Sequence, residues 1–364
     1  MRAQAPITAV HVAAYTIPTD APESDGTLAW NATTLVIAKV RAAGREGLGY
    51  TYADTATAEL VRTRLPAVLL GADAWSTGAR WIDMTRALRN LGRAGISAMA
   101  VSALDIALWD LKGKLAGLSL AAMLGNSRDA IMAYGSGGFT SYPSERLQEQ
   151  LGGWASAGFR AVKMKVGREP AQDAARVAEA RKAIGPDVDL FVDANGAYTE
   201  AMALEMAQRF REQSVAYFEE PVSSDHLESL RLLRERRPAG MAIAAGEYGY
   251  ELFYFRRMLE AGAVDVIQAD ATRCGGVTGF MMAAAVAESF GVPLSSHCAP
   301  SLHVPLCCAA HGAVHLEWFH DHARIEEALF EGAPRPHDGL LAPDRTRPGL
   351  GLALRERDAE RLCA

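Results

Sequence analysis

The feature that most constrains this chain is a recurring strand end. Short apolar runs stop on a charged residue, over and over, at intervals of 20–28 residues. Arg160-Ala161-Val162-Lys163-Met164-Lys165 ends on a lysine, and Phe191-Val192-Asp193 ends on an aspartate. Ala216-Tyr217-Phe218-Glu219 and Ala242-Ile243-Ala244-Ala245-Gly246-Glu247 end on glutamates, and the series continues through Asp270, His297 and Glu317. Such an interval holds one strand, one helix and two short loops, which is the crossover that a pair of parallel strands requires. When units of this kind close into a barrel, every strand C-terminus meets at one face, where barrel active sites lie.

The periodicity predicts strands near 132–136, 160–165, 189–193, 215–219, 241–246, 264–269, 292–296 and 314–318, with helical patterns between them, such as 171–184, 199–213, 224–236 and 277–290. Helical signal is weak after the eighth strand. The first 125 residues follow a different order. Strand patterns at 7–16, 33–41 and 47–52 come first, and helical ones at 55–66, 74–90 and 96–117 follow, which is an α+β arrangement. The expected architecture is therefore an α/β barrel of the TIM type (residues 126–325) preceded by an α+β capping domain (1–125). A C-terminal segment (326–364), rich in Gly, Pro and Asp over 332–349, is expected to pack back on the capping domain. Residues 17–31, IPTDAPESDGTLAWN, are polar and rich in turn formers. A structureless loop of that length reads as a lid over the site; the other reading is a plain hairpin connection.

Composition removes several function classes. Residues are 49% apolar and 22% charged, as in an ordinary globular protein. The net charge is −6 and no basic block occurs, which argues against a nucleic-acid partner. The five cysteines (Cys274, Cys298, Cys307, Cys308 and Cys363) form no CxxC pair, so a reducing, cytoplasmic setting is expected. Met1 to Val10 has no long apolar core, so no leader peptide is expected. The apolar stretch Ile96 to Leu124 carries Asp105, Asp110, Lys112 and Lys114 and reads as a buried helix, with no membrane partner.

The strand-end residues suggest a chemistry. Asp193, Glu219 and Glu247 converging at one face offer three hard oxygen ligands, which suit Mg²⁺. Lys163 and Lys165 share one face of their strand. Two neighbouring ammonium groups, partly buried, lower each other's pKa, which would make one of them a base near neutral pH. His297 and Asp270, at consecutive strand ends, form a dyad in which the carboxylate fixes the imidazole tautomer. Glu317 would donate a hydrogen bond to a developing oxyanion if its pKa is raised.

The ordered set KxK, DxN, EEP, GE, an Asp followed by GGVTG, SSH and HLE resembles the mandelate racemase subgroup of the enolase superfamily over nearly the whole chain. The resemblance implies a (β/α)₇β barrel under its cap, with Mg²⁺ on Asp193, Glu219 and Glu247. It implies Lys165 as one base with Lys163 assisting, the His297–Asp270 dyad as the other, and Glu317 as electrophilic partner of the substrate carboxylate. Asn195 would lie near substrate, and Glu220 behind the metal ligands. The implied activity is Mg²⁺-dependent removal of the α-proton of a hydroxy carboxylate through an enediolate. Dehydration of an aldonate or aldarate to a 2-keto-3-deoxy acid is the favoured outcome. Racemisation or epimerisation is the alternative, then cycloisomerisation, and most remotely a non-catalytic binding protein. The expected partners are a small carboxylate substrate and further copies of the chain, in a homo-oligomer from dimer to octamer.

Pocket-lining candidates are Ser136, Tyr248, Arg273, Cys298, His303 and Trp318, with Trp30, Tyr50 and Tyr52 from the cap. Trp318 and Tyr248 are equally readable as packing residues. Arg273 would either bind the distal carboxylate of a diacid or pair with Asp270.

Overall fold

The computed structural model describes residues 4–362; Met1 to Ala3 and Cys363, named above, lie outside that range. The chain begins with an antiparallel sheet of β1 (Ile7–Ser24), β2 (Ala29–Ala42) and β3 (Arg45–Tyr52). Five helices follow: α1 (Thr55–Arg64), α2 (Pro66–Leu69), α3 (Thr77–Ala87), α4 (Ile96–Ala116) and α5 (Leu120–Leu124). Helix α4 is the long apolar stretch, and its two acids explain how it stays in a protein interior. Asp105 accepts hydrogen bonds from the backbone and hydroxyl of Thr278, and Asp110 accepts from the N–H groups of Leu48 and Leu350. Each buried carboxylate thus joins the cap to a distant part of the chain and is satisfied while doing so. The sheet can lie directly on α4 because Gly49 has no side chain; a Cβ there would stand 2.1 Å from the Ala103 carbonyl. Among the described residues no helix is long and apolar enough to cross a membrane.

Eight parallel strands then close into a ring: β4 (Ile131–Gly137), β5 (Ala161–Lys165), β6 (Asp189–Asp193), β7 (Val215–Glu219), β8 (Ala242–Ala245), β9 (Val266–Ala269), β10 (Leu294–Ser296) and β11 (Ala313–Phe319), with β11 pairing back to β4. The intervening helices are α6 (Ser144–Ser156), α7 (Pro170–Ile184), α8 (Glu200–Arg211), α9 (Leu227–Arg236), α10 (Leu252–Glu260), α11 (Gly276–Ser289) and α12 (Pro300–Ala309). The eight expected strands and their order agree with this ring. The weak helical signal after the last strand does not: α13 (His320–Leu329) follows β11 at once. Its Glu326 accepts hydrogen bonds from Tyr50 and Tyr52 of the capping sheet, so tertiary bonding to the cap supports a helix that composition alone does not announce. The remaining strands are β12 (Phe330–Glu331), β13 (Leu340–Leu341) and β14 (Ala353–Leu354), followed by the single turn α14 (Glu356–Glu360). The tail reaches the cap, where Leu120 N–H donates to the Gly349 carbonyl at 2.6 Å, and β13 also pairs with barrel strand β4.

Alternation along the strands layers the barrel interior. Tyr134, Phe191, Tyr217 and His315 form an aromatic floor, with the Phe191 and Tyr217 rings stacked at 4.6 Å. Two residues further along the same strands stand Asp193, Glu219 and Glu317, and Lys163 lies over the Tyr134 ring.

Residues 17–31 are not a structureless loop. Strand β1 runs to Ser24 and β2 starts at Ala29, so only a tight turn at Asp25–Leu28 separates the two strands. Pro18 and Pro22 fit because β1 is the edge of the sheet, and a register shift between Pro18 and Glu23 absorbs them. The hairpin is docked on the barrel. Thr140 N–H donates to the Ser24 carbonyl, Thr140 Oγ1 to the Asp25 carbonyl and Ser141 Oγ to the Pro22 carbonyl, at 2.7–2.8 Å. At the tip, a Cβ on Gly26 would be 2.5 Å from the Ala194 carbonyl and 2.8 Å from that of Val166, at the ends of β6 and β5. Gly26→Ala should therefore hold the hairpin off the barrel and lower kcat/KM by about 100-fold, the usual consequence of a misplacement near 1 Å, with the Tm almost unchanged. Steady-state kinetics beside a thermal melt checks this, and unaltered kinetics would contradict the docking.

Candidate active site

The C-terminal face of the barrel gathers the strand-end residues. Asp193, Glu219 and Glu247 present carboxylate oxygens that all lie within 4.8 Å of one another, and all three side chains are buried. Lys163 Nζ stands 2.6 Å from Glu219, 2.8 Å from Glu317 and 3.5 Å from Asp193; Lys165 Nζ lies 2.5 Å from Asp193. On the other side, His297 Nδ1 is 2.9 Å from Asp270 Oδ2, and His297 Nε2 is 3.6 Å from Glu247. In ring order, the lysines of β5 and the imidazole after β10 flank the arc of carboxylates on β6, β7 and β8. A cavity of about 420 Å³ opens over this arc between the barrel and the hairpin, and Lys165, Asn195, Glu247 and His297 line it.

Electrostatics differ from the sequence expectation in two places. Burial lowers the pKa of Lys165, but Asp193 together with Glu247 and Glu219 more than compensates, so its ammonium is held above its ordinary value. The lysine pair is therefore not a poised base while Asp193 is its counter-ion. Glu317 is not raised either. Burial pushes it up, yet Lys163, His297 and Lys165 outweigh burial and hold it ionised. It accepts hydrogen bonds from Ser136 Oγ at 2.6 Å and from Cys298 N–H at 2.7 Å, so it acts here as an acceptor rather than the expected donor. Asp270 is likewise kept low, its burial overcome by the bond and charge of His297.

The carboxylate trio passes a test for a divalent cation. Burial and the proximity of Asp193 drive Glu219 well above its usual range, which marks excess negative charge. Glu219 Oε1 and Glu247 Oε2 are buried and have no hydrogen-bond partner among the described residues. Three hard oxygens, two of them with an unsatisfied atom, are the donor set Mg²⁺ prefers. Glu220 lies behind them, buried and itself pushed up by burial and by Glu247.

Of the other expected lining residues, Asn195, Tyr248, Arg273, Cys298, Trp30 and Tyr52 do face the cavity. Arg273 is engaged at its inner end, 3.7 Å from Asp270 and 3.4 Å from Glu247, with Tyr248 stacked beneath it. Four residues do not line the cavity. Ser136 is buried behind Glu317 as its hydrogen-bond donor. Tyr50 is wholly buried and bonded to Glu326. His303 sits behind Asp270, where Nε2 accepts the Ala271 N–H and Nδ1 lies 2.9 Å from the Cys298 carbonyl. Trp318 points out of the barrel into the surrounding core, because Glu317 and Phe319 on either side of it face differently. Cavity residues that sequence reasoning missed are Asp25, Leu28, Thr33, Asp54, Phe319 and His322. Phe319 ends β11, two residues after Glu317; the others come from the hairpin, the cap and α13, and no spacing relates them to the strand ends.

Residues 7–125 match the family described as the mandelate racemase/muconate lactonizing enzyme N-terminal domain, and residues 146–359 match the enolase C-terminal domain-like family. The chain belongs to the mandelate racemase/muconate lactonizing enzyme family of the enolase superfamily. A family relative from Rubrobacter xylanophilus, a mandelate racemase/muconate lactonizing enzyme-like protein of solved structure, is 53% identical. It superposes with a TM-score of 0.97 over 99% of this chain and 100% of its own. The arabinonate dehydratase of Saccharolobus solfataricus is 32% identical, covering 85% of this chain and 84% of that enzyme. A structure described as a racemase from Streptomyces coelicolor, with bound magnesium, is 32% identical with a TM-score of 0.93, covering 98% of this chain and 100% of its own. Other family members at comparable identity are dehydratases of gluconate and galactonate and cycloisomerases of a galactarolactone and an anhydrogalactonate.

Lys163 is the buried counter-ion shared by three carboxylates. Lys163→Met should lower the unfolding free energy in EDTA by about 3–5 kcal/mol, because removing one partner strands the others. Urea denaturation measures this, and a variant as stable as the parent would contradict the assignment.

Proposed function

We propose that the protein removes the α-proton of a hydroxy acid and expels the β-hydroxyl as water, converting a sugar acid to a 2-keto-3-deoxy acid. The observation that carries this reading is the pair of proton-transfer groups, Lys165 Nζ and His297 Nε2, flanking one carboxylate arc in one cavity. The dehydratases among the relatives support it, and the magnesium in the Streptomyces coelicolor structure supports a metal dependence.

Asp193, Glu219 and Glu247 would hold the cation. A divalent ion there would offset the charge of the trio and would make the C–H next to a bound carboxylate more acidic. Lys165, which shares Asp193 with Lys163, takes the α-proton at Nζ when it is uncharged. The electron pair of the broken C–H bond forms the new C=C bond as the β C–O bond breaks. His297, oriented by Asp270 at Nδ1, donates a proton from Nε2 to the departing hydroxyl, which leaves as water. The resulting enol becomes the keto acid on return of a proton to carbon. The docked hairpin excludes bulk water during these steps. Glu317 fixes the Cys298 backbone next to His297 and anchors Lys163.

The same two bases support a second reading, in which one removes the α-proton and the other returns it on the opposite face; the Streptomyces coelicolor relative described as a racemase favours it. Incubation of the Mg²⁺-loaded enzyme with a sugar-acid library in D₂O separates the two. A 2-keto-3-deoxy product is expected, whereas an inverted, deuterated acid without keto product would establish the racemase reading instead. His297→Asn should lower keto-acid formation by about 10³-fold, within the range of acid–base catalysis, yet retain exchange at a proton facing Lys165. Prolonged EDTA treatment should abolish turnover, with recovery on Mg²⁺; activity that survives the chelator would refute the metal role.

A further inference from the structure

A second set of ligand-type side chains lies outside the active-site cavity, where the base of the capping hairpin meets the barrel. Asp20 and Glu23 stand on β1, and His320 is the first residue of α13, directly after β11. A carboxylate oxygen from each acid and a ring nitrogen of His320 all lie within 4.8 Å of one another. His320 Nε2 is already 3.1 Å from Asp20 Oδ2. Donors bound about 2.1 Å from a tetrahedral Zn²⁺ stand roughly 3.4 Å apart, so closing the set takes shifts of only about 1 Å. Asp20 and His320 are partly exposed, which gives an ion a way in.

Glu23 is the residue that points to a ligand. It is only 1% exposed. Trp30 Nε1 donates to its Oε2 at 2.8 Å, but Oε1 is buried with no hydrogen-bond partner among the described residues. A buried carboxylate oxygen without a partner is costly. The nearby cations do not supply one. Arg146 contacts Asp20 Oδ2 at 3.1 Å, and Arg324 donates to the Pro18 carbonyl and to Asp321. Three carboxylates, Asp20, Glu23 and Asp321, thus share two guanidinium groups. Burial and Asp321 push Glu23 up to about 8, so a cation bound there would displace its proton. The Arg146–Asp20 pair is partly exposed; such pairs contribute little and yield to a bound ion.

We propose that Asp20, Glu23 and His320 form a second metal site, one that takes Zn²⁺ and staples the capping hairpin to the start of α13. One imidazole nitrogen with two carboxylate oxygens is a Zn²⁺ donor set that leaves a fourth position for water. The all-oxygen trio at the centre of the barrel suits Mg²⁺ instead, so the two sites select different ions. His320 coordinates through Nε2 without its hydrogen, and any proton held there passes to solvent on binding. The inference is independent of the proposed reaction, since none of the three residues lines the active-site cavity.

The test is a calorimetric titration of the full chain with Zn²⁺ in excess Mg²⁺, which occupies the trio, together with anomalous diffraction at the zinc edge from crystals soaked in the same mixture. A single Zn²⁺ per chain should bind with a micromolar Kd, and its peak should lie between Asp20, Glu23 and His320. His320→Ala and Glu23→Gln should each weaken binding at least about tenfold, the smallest loss expected even for a residue that only supports a ligand. Glu23→Gln keeps an acceptor for Trp30 Nε1, and His320 is partly exposed, so both variants should melt near the parent's Tm without zinc. Zinc should raise the Tm of the parent and leave that of either variant unchanged, because only the parent's folded state binds the ion. No binding, binding that both substitutions leave intact, or a zinc peak found only at the trio or beside His297 and Cys298 overturns the site.

Discussion

A single buried ammonium holds the centre of this barrel together. Lys163 lies within 3.5 Å of Asp193, Glu219 and Glu317, on strands β6, β7 and β11. Without it, carboxylates would crowd the interior of a closed ring above an aromatic floor, with water too distant to screen them. With it, the cluster is tolerated but remains short of positive charge, as the raised Glu219 and the unpartnered oxygens of Glu219 and Glu247 indicate. The barrel thus stores a local deficit that a divalent cation can fill, which links its construction directly to its chemistry.

The cap completes what the ring begins. Strand ends can aim charged groups at one point, but they leave that point open to solvent. The β1–β2 hairpin closes it through hydroxyl-to-carbonyl bonds from Thr140 and Ser141 and through a glycine tip that fits against the Ala194 and Val166 carbonyls. Glu326 ties the other side of the cap to α13, which carries His322. One wall of the cavity therefore comes from the reacting apparatus and the other from a separately folded layer, so the outer wall can vary while the arc of acids and bases is kept.

Much of this was legible in the sequence because strand alternation and the βα interval are local rules. Asp193, Glu219, Glu247, Asp270, His297 and the two lysines could be aligned by interval alone, and the structure brings all of them to one face. Trp318 was left open between lining and packing although alternation decides it: beside an inward Glu317, it must face out. Tyr50, Ser136 and His303 are polar side chains near the site in sequence whose partners (Glu326, Glu317 and the Ala271 N–H) could be identified only in three dimensions. Residues 17–31 looked like a loop because of Pro18, Pro22 and Gly26, yet each has a place in an edge strand or a docked turn. The state of Lys165 and Glu317 was inaccessible for a different reason. It depends on the balance between burial and several charges at 2.5–3.5 Å, which no spacing encodes.

The account depends above all on the trio being a cation site. Its most direct test is a crystal structure of the protein soaked in Mn²⁺, a Mg²⁺ surrogate with an anomalous signal. One strong anomalous peak bounded by Asp193, Glu219 and Glu247 is predicted, and it should vanish in Glu219→Gln. A peak elsewhere with this position empty, or a peak unaffected by the substitution, would contradict the account.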